Sequence, residues 1–403
     1  MSDAALDAFR AEARAWLAAN YPTELKLANP PIDPDAEWGG RRFVGSSDPQ
    51  CVWMRRMAER GWTAPQWPRA YGGGGLGLDH ARVLAEEMAA GGYRAPLFSF
   101  GILMLGPALL EFASEAQKLE HLPKIVRGEI RWCQGYSEPG AGSDLAGLQT
   151  RCEDKGDHWL INGSKIWTSY ADQADWCFCL VRTDFSVKHG GVSFVLIDMA
   201  SPGVETRPIP LISGESPFCE TFFTDVKIPK ANLVGEPGAG WTIAKRLLQH
   251  ERTNIAASFG AGGSVGGVAG DISEIARTYV GVDAAGRLAD SDLRGRIARN
   301  MIDFRALALT LERQAAESHA TGGPGAASSV IKVCAAAFAQ ERAELVVEAM
   351  GARGLAWGGQ SALPDEIAAV RGNLRAKANS IEGGTTEINL NVIAKQMLGL
   401  PTP

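Results

Sequence analysis

The sequence has no long hydrophobic run, no spacing of metal ligands and no excess of positive charge. Its most apolar segment, Gly101 to Leu110, is too short to span a bilayer, which takes roughly 20 apolar residues. The six histidines are not spaced as metal ligands, and the seven cysteines include no Cys-x-x-Cys pair. These absences predict a chain without a transmembrane segment or a metal centre. Its cysteines are expected to be reduced, mostly buried thiols of a cytoplasmic protein.

A formal net charge of -6 argues against nucleic acid as the main partner. A local basic pocket that binds an anionic ligand is compatible with this net charge. The remaining composition, with 45% hydrophobic and 21% charged residues, is typical of a globular protein. A length of 403 residues predicts two or three domains.

Residue patterning divides the chain into three parts, 1–125, 126–235 and 236–403. The first part is mostly helical, the second is rich in strand-forming residues and turns, and the third returns to long helices. Predicted helices of the first part are Ala4–Ala19, Pro49–Arg60, Asp79–Ala90 and Gly101–Ala113. Predicted core strands of the second part are Phe178–Val181 and Ser193–Ile197. Breaks between helices of the third part are predicted near 281–290, 321–325 and 351–360. The predicted fold class is α+β, in the order α–β–α.

A glycine-rich turn from Glu138 to Asp144 opens the most specific segment of the chain. Its glycines free the backbone to present N–H groups, and a serine hydroxyl, to a polar or anionic ligand. A hairpin is predicted next. Its strands, Leu148–Glu153 and His158–Asn162, flank a turn at 155–157, and Gly163 is expected to break the second strand.

The same segment ends with an indole beside two hydroxyls, Trp167-Thr168-Ser169. A large planar residue next to small hydrogen-bond donors suits an isoalloxazine ring, which needs a stacking wall and polar contacts at its edge. By burial statistics alone, a tryptophan at a strand end is more often part of a core.

Four segments of the sequence resemble signature regions of the acyl-CoA dehydrogenase family. They are Gly61–Pro65 with Tyr71–Gly75, the glycine-rich segment Trp132–Tyr170, Phe222–Pro229 and Glu382–Ile388. The resemblance covers nearly the whole chain in the family's order. It implies an N-terminal α-helical domain (1–125), a middle β-barrel-like domain that binds flavin and acyl-CoA (126–235), and a C-terminal four-helix-bundle domain (236–403).

The resemblance also implies the reaction. A carboxylate removes the α-proton of an acyl-CoA while a hydride leaves the β-carbon for N5 of FAD, which forms a trans-2-enoyl-CoA. An electron-transfer flavoprotein is then the expected electron acceptor. An acyl-CoA oxidase or nitroalkane oxidase, or a non-catalytic subunit of the same fold, are the alternative functions.

Glu251 is the predicted base. Together with Trp241, Ala244 and Leu248 it follows the three-and-four spacing of one helical stripe, where an unpaired charge is costly. From this spacing alone, an ion pair with a neighbouring arginine, Arg246 or Arg252, remains open.

The resemblance favours the catalytic role. Many members carry the base in the C-terminal loop, at the position of Gly383 here. Members similar to isovaleryl-CoA and long-chain acyl-CoA dehydrogenases carry it on a helix before an arginine, as Glu251-Arg252 does. Glu382, one residue from the loop position, is the second candidate.

The resemblance assigns further residues to ligands. Those for FAD are Gln134, Tyr136, Ser137, Gly142, Ser143, Trp167, Ser169, Glu348, Gly351, Thr385 and Glu387. Those for the substrate are Ser143, Arg252 and Gly383. Gly351 and Gly354 match a turn that closes over the FAD of a neighbouring subunit.

Two departures from the family pattern concern that neighbouring FAD. Glu348 replaces a customary glutamine, and an Arg-x-x-Phe before the helix of residues 293–315 is missing, with 290–293 reading Asp-Ser-Asp-Leu instead. Acids near a pyrophosphate repel it. The resemblance implies a homotetramer or dimer of dimers, and these two departures raise the alternative of a heterotetramer with a sister subunit.

Overall fold

The computed structural model describes residues 3–248, 271–321, 327–359 and 362–401. Contacts between residues divide the chain into two compact units. The first unit comprises Met1–Ile209 and Pro217–Leu247, and the second comprises Pro210–Ser216 and Leu248–Pro403.

Five helices stand at the start of the first unit. They are α1 (Asp3–Asn20), α2 (Pro49–Glu59), α3 (Leu78–Ala90), α4 (Gly106–Phe112) and α5 (Glu115–Val126). The first three begin and end within one residue of the predicted helices, because local apolar periodicity defines them. Helix α2 also has a local cap, since Asp48 accepts a hydrogen bond from the Gln50 amide at 2.8 Å and Pro49 occupies the first turn.

The predicted helix Gly101–Ala113 consists of two parts, a π-helical turn at Gly101–Leu105 and α4. The next helix, α5, has no counterpart among the predicted helices and contains Pro123. The sequence does contain a signal for the start of α5, because Ser114 and Gln117 form a capping box that satisfies two backbone groups.

The strands of the first unit form one sheet. They are β1 (Trp132–Gly135), β2 (Arg151–Asp154), β3 (His158–Ser169), β4 (Trp176–Arg182), β5 (Val192–Asp198), β6 (Val204–Ile209), β7 (Phe218–Pro229) and β8 (Leu233–Val234). Their order is β6-β7-β3-β2-β4-β5-β8, and β1 pairs with β4 in parallel. The predicted hairpin is confirmed as β2 and β3, and both predicted core strands are confirmed as β4 and β5, which are almost entirely buried.

Strand β3 corrects one prediction, because Gly163 does not end it. The strand continues to Ser169 along β7, with irregular register between Ile161 and Gly163 and between Lys165 and Thr168. At Gly163 the φ angle is +149°, and a Cβ atom there would lie 2.7 Å from Cα of Thr150. Glycine therefore allows a bulge and a close approach to the neighbouring chain segment.

Helix α6 begins at residue 240 and is described as far as 248. The other helices of the C-terminal part are α7 (Ile272–Val280), α8 (Ser291–Thr321), α9 (Ala327–Ala349), α10 (Pro364–Ala376) and α11 (Thr386–Val392). The breaks predicted near 281–290 and 351–360 separate α7 from α8 and α9 from α10. Of the break predicted near 321–325, residues 322–325 lie outside the described residues. Within the described ranges, every helix falls short of the length and apolarity needed to cross a membrane.

Candidate active site

Strand β1 leads directly into the glycine-rich turn. Gln134 on β1 is half-buried, and Tyr136 is 5% exposed with its ring edge-on to Phe178 at 6.1 Å. Between them, a Cβ atom at Gly135 would lie 2.8 Å from Sγ of Cys177. The core of the sheet therefore holds β1 closely, and the predicted flavin contacts Gln134 and Tyr136 start from a rigid strand.

A buried ion pair anchors the turn to β3. The ammonium of Lys165 lies 2.8 Å from the carboxylate of Glu138, and the two side chains are 0% and 8% exposed. Glu138 also accepts hydrogen bonds from the amides of Gln149 and Thr150, at 2.6 and 2.8 Å. Lys165 in turn donates to the carbonyl of Tyr136 at 3.1 Å. Burial alone would raise the pKa of Glu138, but the Lys165 charge and these hydrogen bonds lower it below its ordinary value.

The tip of the turn faces outward. Gly142 and Ser143 are exposed, and a Cβ atom at Gly142 would meet nothing within 4 Å. Glu138 and Ala141 exchange two backbone hydrogen bonds of 3.1 and 3.0 Å, which fixes the turn's shape. Ser137 lies half-buried at the start of the turn, and its backbone carbonyl accepts a hydrogen bond from the Ile166 amide at 2.9 Å. An anchored turn with an open tip can donate to a bound anionic or polar group.

Trp167 stands where β3 departs from regular pairing. Its φ angle is +61°, which is rare for a bulky residue and indicates local backbone strain. The indole is 53% exposed and touches Phe218 edge-on at 6.2 Å between ring centroids. Trp167 is therefore not a core residue. Next to it, Thr168 is fully buried with no partner for its hydroxyl among the described residues, and Ser169 is half-buried.

Glu348 and Gly351 lie at the end of α9 in the second unit. Arg296 donates to Glu348 at 2.7 Å and lies 3.8 Å from Asp292, so Glu348 shares its cation with a second acid. Gly351 has a φ angle of +55°, and a Cβ atom at Gly354 would lie 2.3 Å from the carbonyl oxygen of Val347. The chain thus forms a tight glycine turn here, as a close approach to a ligand requires.

Asp290, which stands where the family pattern has an arginine, caps a helix. Asp290 precedes α8 and accepts hydrogen bonds from the amides of Asp292 and Leu293, both at 2.9 Å. It is an N-cap, which satisfies two backbone donors at the start of the helix.

The last predicted loop is a left-handed glycine turn that precedes α11. Gly383 and Gly384 have φ angles of +64° and +88°. The Thr385 hydroxyl caps α11 by accepting from the Ile388 amide at 3.2 Å. Glu387 lies exposed in the first helical turn, where its own backbone N–H, the Thr385 hydroxyl and the charge of Lys332 lower its pKa.

The two candidate bases differ in what the structure shows. Arg375 binds Glu382 through two hydrogen bonds, 2.8 and 3.3 Å long. Glu251 and Arg252 lie outside the described residues, so their roles stay predictions. Arg246, one of the arginines considered as a partner of Glu251, donates to Glu111 at 2.8 Å.

Sequence reasoning gave no role to Lys165. A signal was available, because Trp159, Ile161 and Lys165 share the buried face of β3 by their period-two spacing. A lysine on such a face needs an acidic partner. In the described part of the chain, no group of three or more histidine, cysteine, aspartate or glutamate side chains could hold a metal ion.

Three sequence profiles of one family match the chain. They are the N-terminal domain of acyl-CoA dehydrogenase at residues 30–129, the middle domain at 133–226 and the C-terminal domain at 238–398. Acyl-CoA dehydrogenase IpdE1 of Mycobacterium tuberculosis is 35% identical over 403 residues, which cover 98% of each chain.

Two solved structures are similar to this chain over its whole length. The ChsE4–ChsE5 complex of Mycobacterium tuberculosis matches 100% of this chain and 99% of its own, with a TM-score of 0.73 and 28% identity. The Tcur3481–Tcur3483 steroid ACAD matches with the same coverage, a TM-score of 0.75 and 27% identity. The chain belongs to the acyl-CoA dehydrogenase family of flavin-dependent oxidoreductases.

Proposed function

We propose that this protein binds FAD and oxidises an acyl-CoA thioester to the trans-2-enoyl-CoA, with Glu251 as the base that removes the α-proton. The observation that carries the proposal is the exposed, left-handed Trp167, which stands on the strand that the Glu138–Lys165 ion pair anchors. An exposed indole in a strained conformation is typical of a ligand contact rather than of a core.

The residues present fit the flavin part of FAD. Trp167 offers a planar face, and the half-buried Ser137 and Ser169 offer hydroxyls. Gln134 and Tyr136 start from a strand that the core holds in place. When bound, FAD supplies the hydride acceptor of the reaction. The turn carrying Gly142 and Ser143 would donate hydrogen bonds to polar groups of the cofactor or substrate.

Residues of the second unit fit the nucleotide part. The Gly383–Gly384 turn and Thr385, which caps α11, bring backbone N–H groups to the start of a helix, an arrangement that favours phosphate oxygens. Glu387 is assigned to a ribose or adenine hydroxyl, since an ionised carboxylate accepts hydrogen bonds. Arg252 and Gly383 are the proposed substrate contacts beside Ser143.

Glu251 needs two conditions for its role. It must reach the α-carbon of the thioester, and its surroundings must exclude water so that the carboxylate is a strong enough base. The competing carboxylate, Glu382, is held by Arg375 and is already a hydrogen-bond acceptor in two contacts. This occupied state supports Glu251 as the base.

We extend the proposal to substrate class and assembly. Because the Tcur3481–Tcur3483 protein is a steroid ACAD and is named as two chains, a bulky polycyclic acyl-CoA and a sister subunit are the first choices to test. Exposed apolar side chains of the second unit support a partner, among them Leu355 (84%), Ile381 (66%) and Leu398 (65%). Glu348 and Asp290 favour a sister subunit over a second copy, because both place acid where a partner's pyrophosphate is expected.

The test is an anaerobic titration of the purified protein with short-chain, long-chain and steroid acyl-CoAs, followed by the visible flavin spectrum. Bleaching by one class establishes the dehydrogenase reaction and names the substrate class. Subsequent oxidation by an electron-transfer flavoprotein, without rapid peroxide formation in air, separates a dehydrogenase from an oxidase. Protein that carries FAD but is bleached by none of the substrates contradicts the proposal.

The assembly is tested by FAD content. One FAD per chain in the protein expressed alone would contradict the heteromeric form and favour a homotetramer. FAD retained only after co-expression with a sister subunit would support it.

A further inference from the structure

Lys165 makes a second hydrogen bond besides its ion pair with Glu138. Its ammonium donates to the backbone carbonyl of Tyr136 at 3.1 Å. The lysine side chain is 0% exposed, so water does not screen this contact as it would at the surface. One buried cation therefore acts directly on the peptide group that joins Tyr136 to Ser137.

The peptide group between Tyr136 and Ser137 presents its N–H on the side away from Lys165. This peptide is trans, and in a trans peptide the C=O and N–H bonds point in opposite directions. Because the Tyr136 carbonyl points at the interior ammonium, the Ser137 N–H points away from it. Ser137 is half-buried beyond the end of β1, and within the described ranges no acceptor contacts its amide. This N–H is therefore available to a ligand.

A cation at the carbonyl end of a peptide strengthens the donor at the other end. A hydrogen bond from an ammonium is charge-assisted and polarises the peptide group, which makes its N–H more positive. The carboxylate of Glu138 divides its hydrogen bonds between Lys165 and the amides of Gln149 and Thr150. The ammonium, in contrast, contacts the Tyr136 carbonyl directly. The field at the Ser137 N–H is therefore that of the ammonium, partly offset by its partner.

We propose that Lys165 is a positioning residue that makes the Ser137 N–H a preset donor for the reduced form of the flavin. Ser137 is one of the expected flavin contacts, so this inference rests on the proposed function. Reduction adds electrons to the flavin ring, and a fixed, polarised donor binds the more negative form better than the oxidised one. The ion pair thus tunes the reduction potential of the cofactor besides anchoring the turn.

The experiment measures the reduction potential of bound FAD against a redox dye, without acyl-CoA, in the protein alone or with its sister subunit. It is made at about pH 6, far below the ordinary pKa of lysine, so that the ammonium stays charged. Lys165→Met should lower the potential by about 30 mV, which corresponds to a tenfold smaller preference for reduced over oxidised FAD. Glu138→Gln should raise it by about the same amount, because the ammonium loses its counter-charge.

Opposite shifts separate tuning of the flavin from anchoring of the turn. If the pair only anchors the turn, both substitutions weaken FAD binding, and the potential moves the same way in both or not at all. The matched control is Lys155→Met, at a lysine of the same hairpin that pairs with Glu153 near the surface, where solvent screens the charge; it should leave the potential unchanged. Glu138→Gln keeps an acceptor for Lys165 and decides the sign even if Lys165→Met does not fold.

Three results would overturn the inference. They are an unchanged or lower potential in Glu138→Gln, an unchanged or higher potential in folded Lys165→Met, and a shift in Lys155→Met as large as that in Lys165→Met. The proposed function fails separately, because the dye needs no substrate. If the wild type holds FAD but no acyl-CoA bleaches it, the proposed reaction is contradicted and the potentials still decide the role of Lys165. Protein that takes up no FAD, alone or with a sister subunit, overturns both.

Discussion

The ammonium of Lys165 and the carboxylate of Glu138 lie 2.8 Å apart in the interior of the first unit, 27 residues apart in sequence. This pair joins the glycine-rich turn to the strand that ends in Trp167. The residues predicted to surround the flavin therefore depend on one buried interaction, which can be tested without any ligand.

Breaking the pair from one side should be strongly destabilising. Lys165→Met leaves a buried, unbalanced carboxylate, and we expect the free energy of unfolding to fall by about 3–5 kcal/mol. Urea unfolding measures this. The control is Lys155→Met, since Lys155 pairs with Glu153 at 2.7 Å near the surface, where the loss should stay below about 1 kcal/mol. Equal losses in the two variants would contradict the account.

The contribution of Glu138 should depend on pH. Its pKa is lowered on folding from an ordinary value of 4.5, so the unfolded chain takes up a proton first as pH falls. The stabilisation is complete above pH 4.5 and is lost as pH falls through the lower pKa of the folded state. The difference in unfolding free energy between wild type and Glu138→Gln should shrink between pH 7 and about pH 3.5. A constant difference over that range would show that the charge of the Glu138 carboxylate does not stabilise the folded state.

Trp167 should matter for the cofactor and little for folding. Because the indole is 53% exposed, Trp167→Ala is expected to leave the free energy of unfolding within about 1 kcal/mol of wild type. Loss of the stacking surface should weaken FAD binding roughly tenfold, as measured by fluorescence of free FAD at equilibrium. Trp167→Phe keeps an aromatic face and serves as the control. Unchanged FAD affinity in Trp167→Ala would remove this residue from the flavin site.

Gly163 should not tolerate a side chain. Gly163→Ala would place Cβ 2.7 Å from backbone of Thr150 at a φ angle of +149°, so we expect a loss of about 1–3 kcal/mol in unfolding experiments. Gly140→Ala is the matched control in the nearby turn, because a Cβ there meets nothing within 4 Å. A tolerated Gly163→Ala would mean that the bulge in β3 is not as close to its neighbour as the structure shows.

Local patterns predicted much of this fold, and what they missed has two causes, an interior proline and long-range strand pairing. Helices α1 to α3 could be predicted because their apolar periodicity is local, and α2 also has a capping aspartate, Asp48. Helix α5 was missed although its capping box is local, since an interior proline such as Pro123 usually argues against a helix. The extension of β3 past Gly163 depends on its pairing with β7, a strand distant in sequence that pairs Gly163 with Phe223 and Ser169 with Phe218.

In the candidate site, too, local signals could be predicted from the sequence and long-range contacts could not. The glycine-rich turn and Trp167 are adjacent in sequence and could be selected from the residues, whereas the strained φ angle of Trp167 and its exposure follow from the register shift in β3. Lys165 was missed because its partner, Glu138, lies 27 residues away in sequence. The base remains a prediction from resemblance.

The most direct test of the central claim compares Glu251→Gln with Glu382→Gln in the anaerobic acyl-CoA titration. We predict that Glu382→Gln is still bleached by the substrate that bleaches the wild type. Glu251→Gln should retain FAD and bind the acyl-CoA, with flavin reduction slowed at least roughly a thousandfold because the proton acceptor is gone. Rapid bleaching of Glu251→Gln, or loss of bleaching in Glu382→Gln alone, would contradict Glu251 as the base.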